Sequence, residues 1–252
     1  VGTGGTITGV ARYIKHEIVT PLAGVKAKLG PGVQVTYVKG VEVLDPKFDQ
    51  IKEAVEAARR SEVALVFVGE TQDCNGEKDD SATLELLGRQ TELIQAVHAT
   101  GTPTVVVLVS GRPLTINWPA EHVPAIVEAW FPGEQGGHAV ADVLFGDYNP
   151  SGRLAITFPR HEGQLPAYYF YKSSKEQRRN PGRRKTAYVD LPLEPLYEFG
   201  HGLSYTTFEY RNLKLSPQKT GPGGRIEVSC DVTNTGKVAA TETVQLYLKD
   251  EI

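Results

Sequence analysis

Three short, largely apolar runs, Val63–Val68, Thr104–Val109 and Ala125–Trp130, constrain this chain more than any other feature. A run without polar alternation reads as a strand buried on both faces. Helical spacing fills the intervals. Phe48, Ile51, Val55 and Ala58 mark one face ahead of the first run, after the helix-start pair Asp45-Pro46. Leu93, Ile94 and Val97 mark another between the first two, ending near Gly101 and blocked by Pro103. After the third run, Gly133–Phe145 predicts a small-residue helix with Ala139, Val140, Val143 and Leu144 inward. Strands alternating with helices at this spacing specify an α/β sandwich, a mostly parallel sheet with helices on both faces and right-handed crossovers.

The flanks are weaker. Val1–Gly9 is Gly- and Thr-rich, but no strand precedes it and the dinucleotide spacing is not met, so it reads as a connector. Thr20-Pro21 supplies a cap and first-turn proline for a short helix carrying Leu22, Val25 and Leu29 and ending at Gly30. Gly32–Gly40 predicts a short strand centred on Val33–Val38, and Leu154–Phe158 another after the turn Asn149–Gly152. Lys172–Lys185 carries seven basic residues against Glu176, with no interleaved aromatic, and reads as a solvated loop. Beyond Phe208 the pattern alternates: Ile226, Val228, Cys230 and Val232, a turn at Asn234–Gly236, then Val244, Leu246 and Leu248. That is the start of an antiparallel β-sandwich of about three strands, too few for a closed core. Residues 1–207 and 208–252 are thus expected to form two units, the second incomplete, and both ends of the chain have the look of cuts through a longer polypeptide.

A net charge of −3 gives no general attraction to nucleic acid or anionic lipid, and no apolar run approaches the roughly 18 residues of a membrane span. The two cysteines, Cys74 and Cys230, are far apart and in segments of different character, so no pairing is expected. The six histidines show no ligand spacing, so no metal and no cofactor is expected.

Chemistry concentrates after the first run. Gly69 stops the strand, and a polar loop follows with Glu70, Gln72, Asp73, Asn75 and Glu77. Ligands of parallel sheets gather where loops leave the carboxyl ends of strands. A carboxyl group there can give or take a proton. Glu70 directly follows the strand, where side chains usually hold a loop; Glu77 lies further out and is the better candidate. Cys74 has only Lys78 as a nearby base, outnumbered by acids, and reads as a passive thiol. Ser110-Gly111 follows a strand without the nucleophile-elbow pattern. Trp118, Trp130 and Phe131, at or past strand ends, offer ring faces for stacking, but packing is their default.

Four blocks carry a resemblance: NGEKDDSATLELLGRQ (75–90), SGRPLTI (110–116), AWFPGEQGGHAVADVLFGDYNPSGRLAITFPR (129–160) and PLYEFGHGLSYTTFEY (195–210). Together, in this order, they resemble glycoside hydrolase family 3, nearest its bacterial β-glucosidases and β-xylosidases. The resemblance implies a (β/α)8-type barrel, absent here, whose aspartate is the nucleophile. An α/β sandwich domain then carries the acid/base glutamate, often followed by a fibronectin type III-like domain. Position after Gly69-Glu70 assigns that glutamate to Glu77. Retaining hydrolysis needs two carboxyl groups about 5–5.5 Å apart, one protonated and one ionised, so the chain alone is expected to be inactive. Ser81 and Leu87 stand where relatives often carry arginine and proline.

The implied substrate is a terminal β-linked glucoside or oligosaccharide, with the barrel supplied in cis or as a separate chain. A periplasmic or secreted location follows from the resemblance alone. The reading from a different class is a non-catalytic sugar-binding or structural α/β domain.

Overall fold

The computed structural model describes residues 18–170, 188 and 190–249. The Gly-rich opening and the basic run Lys172–Lys185 lie outside the described residues. The elements follow in the order α1 (Pro21–Leu29), α2 (Ile51–Arg59), β1 (Ala64–Gly69), α3 (Gln90–His98), β2 (Thr104–Val109), α4 (Asn117–His122), β3 (Ala125–Glu128), α5 (Gly136–Leu144), β4 (Phe208–Ser216) and β5 (Glu227–Asn234). Single 3₁₀ turns occupy Gln72–Cys74 and Glu162–Gln164.

The three apolar runs form one parallel sheet in the order β1-β2-β3. Ala64 pairs with Thr104 through to Gly69 with Val109, and Val105 pairs with Ala125 through to Leu108 with Glu128. Alternation divides the strands between two faces. Val66, Val68, Val106 and Leu108 join Ile51, Ala58, Leu93, Ile94 and Val97 in one core. Val107 and Val109, pointing the other way, are buried as well. Burying a side chain such as Ile94, which has no exposed surface, contributes ~1.5–3 kcal/mol. This register places Glu70, Ser110 and Ala129, the residues that follow the strands, along one edge of the sheet.

Helices α1 and α5 cross at two glycines. A Cβ at Gly24 would lie 2.0 Å from the Gly137 carbonyl oxygen, and one at Gly137 would lie 2.2 Å from that of Thr20. Backbone bonds frame the crossing, Val19 N to Glu134 O at 2.9 Å and Gly137 N to Val19 O at 3.0 Å. Thr20 caps α1 as expected, its hydroxyl accepting from Ala23 N at 3.2 Å.

Several expectations need correction. Val33–Val38 forms no strand: Val33 and Tyr37 are exposed, and the only bridge nearby joins Val41 to Asp49. Asp45-Pro46 makes a turn, with Lys47 N on Asp45 Oδ1 at 3.0 Å, and the helix waits for Ile51, whose N–H is taken by Asp49 Oδ1 at 3.1 Å. In α5 the buried positions are Gly136, Gly137, Val140 and Ala141, while Ala139 is exposed and Val143 and Leu144 are half-buried. Leu154–Phe158 is not a strand but touches 196–201 at its two ends, Leu154 N to His201 O and Phe158 N to Tyr197 O, each 2.8 Å. β4 and β5 pair antiparallel as predicted, but 244–248 adds no third strand among the described residues. That segment instead bonds to the α/β body, Thr243 Oγ1 to Ser151 O at 2.7 Å and Gln245 Nε2 to Gly200 O at 3.0 Å. It is thus held to that body through side chains and not through a strand ladder.

Candidate functional site

β1 ends at Gly69 because no other residue fits: φ is +141°, and a Cβ would meet the Val109 carbonyl oxygen at 2.0 Å. The buried amide of Gln90, at the start of α3, takes both backbone groups of Gly69, Nε2 to its O at 2.9 Å and Oε1 from its N at 2.6 Å. The chain then swings towards β2, with Glu70 N on Val109 O at 2.8 Å.

Glu70 turns inward. It is 3% exposed, and its carboxylate meets Arg112 Nε at 2.9 Å, Asn75 Nδ2 at 2.8 Å and Gly111 N at 3.3 Å. The same guanidinium reaches the outer half of the loop, with Nη2 donating to Cys74 O at 2.6 Å and to Asn75 Oδ1 at 2.9 Å. A buried carboxylate is tolerated when paired and hydrogen-bonded in this way. The 3₁₀ turn between is closed by Cys74 N on Thr71 O and Asn75 N on Gln72 O, both 3.1 Å. Cys74 is buried, its sulfur 3.4 Å from the Thr71 hydroxyl, and both cysteines are free thiols.

Beyond this anchored base the loop turns over Gly76–Asp79, with Lys78 at φ +77°. Glu77 stands on that turn, exposed, with no hydrogen-bond or ion-pair partner among the described residues. Ser81 donates to Thr83 O at 2.8 Å, and the chain re-enters through the bridge Glu85–Thr115 and buried Leu86.

A second carboxyl lies under the same edge. Glu128 Oε1 accepts from Trp130 N at 2.9 Å, holding Trp130 at φ +51°, while Oε2 is sealed from water without a partner among the described residues. Burial, with the nearby Glu70 charge adding to it, pushes this carboxyl up to about 8 against the opposing Trp130 N–H bond and the nearby Ser110 hydroxyl. Glu128 is therefore largely protonated at neutral pH. Trp130 packs edge-on to Phe158, and Trp118, which lies in α4 and not at a strand end, stacks on His122. Phe131 is 48% exposed beside Gly111, where an added Cβ would touch it and Asn75 Oδ1, both at 2.9 Å. Ser110 is fully buried and donates to Arg112 O at 3.0 Å, which makes it a turn residue. No group of three or more metal-ligating side chains occurs among the described residues.

The structure thus separates the two glutamates of the loop, Glu70 in its anchor and Glu77 at its exposed turn. Sequence reasoning did not find Arg112, Gln90 or Glu128. Arg112 and Gln90 lie far along the chain from what they hold, and Glu128, which holds Trp130 two residues on, sits in an apolar run that gives no sign of it.

Comparison with known proteins bears on what this edge does. Residues 2–205 match the glycosyl hydrolase family 3 C-terminal domain. A β-xylosidase of Formosa agariphila is 43% identical over 92% of this chain and 32% of its own length. A periplasmic β-glucosidase of Salmonella typhimurium is 39% identical over 95% of this chain and 34% of its own. Among solved structures, a β-glucosidase from Erythrobacter marinus superposes with a TM-score of 0.76 at 37% identity, covering 88% of this chain and 32% of that one. The chain spans about a third of the length of these relatives.

Proposed function

Because the chain belongs to glycosyl hydrolase family 3 through its C-terminal domain, we propose that it is the acid/base half of a retaining, exo-acting β-glycosidase. The substrate is a terminal β-linked glucose, with xylose as the second candidate, in keeping with the names of its relatives. Glu77 protonates the leaving oxygen and then deprotonates water, while a barrel domain, in cis or as a separate chain, brings the nucleophilic aspartate. Residues 1–207 make up the catalytic-loop domain and 208–252 the start of a fibronectin type III-like unit. A periplasmic or secreted setting accords with one relative's name, and no helix among the described residues is long and apolar enough to cross a membrane.

One observation carries the assignment. Of the two glutamates in the loop, Glu70 has its carboxylate engaged by Arg112, Asn75 and Gly111, and Glu77 is free to meet a substrate. A general acid must reach the leaving oxygen within about 2.6–3.2 Å, which the engaged and buried Glu70 is not placed to do.

The test uses this chain joined to a matching barrel. Glu77→Gln removes the proton donor and should slow cleavage of poorly activated alkyl β-glucosides by 10²–10⁴-fold, the usual range for general acid catalysis. Dinitrophenyl β-glucoside needs no protonation, and formation of its glycosyl-enzyme should be far less affected. Equal losses on both substrates would remove Glu77 from the acid role.

A further inference from the structure

The exposed turn bearing Glu77 has few constraints of its own, yet proton transfer demands that its carboxyl be held to a fraction of an ångström. Within the loop, only the 3₁₀ turn precedes it, and the Thr71–Cys74 and Gln72–Asn75 backbone bonds fix nothing relative to the sheet. The link to the sheet edge comes from β2. Arg112, three residues after the end of β2 at Val109, sends one nitrogen to Glu70 and another to both Cys74 O and Asn75 Oδ1.

We propose that Arg112 is a positioning residue for the glycosidase reaction: it ties the buried Glu70 carboxylate to Cys74 and Asn75 and so sets where Glu77 stands. The inference rests on the reading of Glu77 as acid/base. Asn75 and Glu77 are two residues apart, a span of at most about 7 Å, so the point Arg112 fixes limits the reach of the catalytic carboxyl. The guanidinium suits this task because it offers five donors in a rigid plane, and here three acceptors lie around that plane. A lysine ammonium keeps the charge beside Glu70 but cannot hold the same three acceptors in one geometry. The pair is also shielded, with side-chain exposures of 22% for Arg112 and 4% for Glu70, so salt screens it little.

Two measurements test this, one without turnover. In the full chain carrying Cys230→Ser, the buried Cys74 thiol reports on the loop through its rate of reaction with dithiobis(nitrobenzoate). Arg112→Ala should raise that rate at least tenfold and Arg112→Lys by a smaller factor, with cooperative melting retained. Asn75→Ala, which keeps the Glu70–Arg112 pair, provides a milder variant should Arg112→Ala fail to fold, and should also raise the rate. An unchanged thiol rate in the folded variants overturns the proposal.

In the barrel-joined enzyme, Arg112→Ala and Arg112→Lys should lose at least tenfold more activity on alkyl than on dinitrophenyl β-glucoside. A purely structural role would lower both equally, and that result also overturns the proposal. Glu77→Gln, run alongside, separates the two ideas. If it shows no leaving-group dependence, the acid/base reading falls, and the role of Arg112 in catalysis falls with it. If it does and the Arg112 variants do not, only the present inference falls.

Discussion

At Glu128 the fold holds a carboxyl group in a place that suits only its neutral form. Its Oε2 is sealed and unpartnered among the described residues, Glu70 lies close enough to repel its charge, and burial carries its pKa from the ordinary 4.5 to about 8. The folded chain therefore binds more protons than the unfolded chain between these values. This group's contribution to stability is complete below about pH 4.5 and is lost as pH rises towards 8. Glu128→Gln keeps the Trp130 N–H acceptor and removes the ionisation. The variant should match the wild type near pH 5 and melt higher at pH 9. With allowance for the residue's solvent-facing edge, the gain is ~2 kcal/mol, or on the order of 5 °C in Tm. Thermal melts from pH 5 to 9 decide it, and parallel curves for the two proteins would refute the buried-acid reading. Neither Glu128 nor Arg112 announces itself in the sequence. A glutamate inside an apolar run looks like an edge residue, and an arginine in Ser110–Ile116 looks like a loop cation, until the sheet brings 70, 112 and 128 together.

Among elements, what was legible depended on whether a segment carries its own partner. β1, β2, α3 and the paired β4–β5 follow the apolar periodicity because each has a packing or pairing partner within the described chain. Val33–Val38, Leu154–Phe158 and Val244–Leu248 have comparable β-propensity but no sheet beside them, and propensity without a neighbour does not make a strand. α4 went unread because Asn117–His122 is too short to show a period. The α1–α5 contact was hidden for another reason: what joins these helices is the absence of side chains at Gly24 and Gly137. The closeness has a measurable consequence. Gly24→Ala places a methyl group 2.0 Å from a backbone oxygen, and helix backbones cannot yield locally. Despite alanine's better helix propensity, the variant should lose about 3 kcal/mol, or about 10 °C in Tm. Gly133→Ala, with nothing within 4 Å of the added methyl, should stay within about 0.5 kcal/mol of the wild type. If the two variants melt alike, the helices do not touch as described.

Across the whole molecule the arrangement is one of a rigid base and an open rim. Gln90 pins the end of β1 and the Glu70–Arg112 pair ties β1's loop to β2's, while Glu128 braces the turn after β3 beside them, so two adjacent strand ends hold one exposed loop. Such support places a buried ion pair beneath the turn on which Glu77 stands exposed. A lone carboxyl group cannot complete retaining hydrolysis, since departure of the aglycone needs a nucleophile on the opposite face of the sugar. Periodicity could reveal the sheet that presents this loop, but a single carboxyl group on an exposed turn has no local signature of its own. Its meaning came from the four ordered blocks instead. The expected outcome is specific. The chain alone should not hydrolyse nitrophenyl β-glucoside above background, and adding a matching barrel should restore turnover that Glu77→Gln abolishes for alkyl glucosides. Turnover by the chain alone that survives Glu77→Gln would mean that its chemistry lies elsewhere on the molecule.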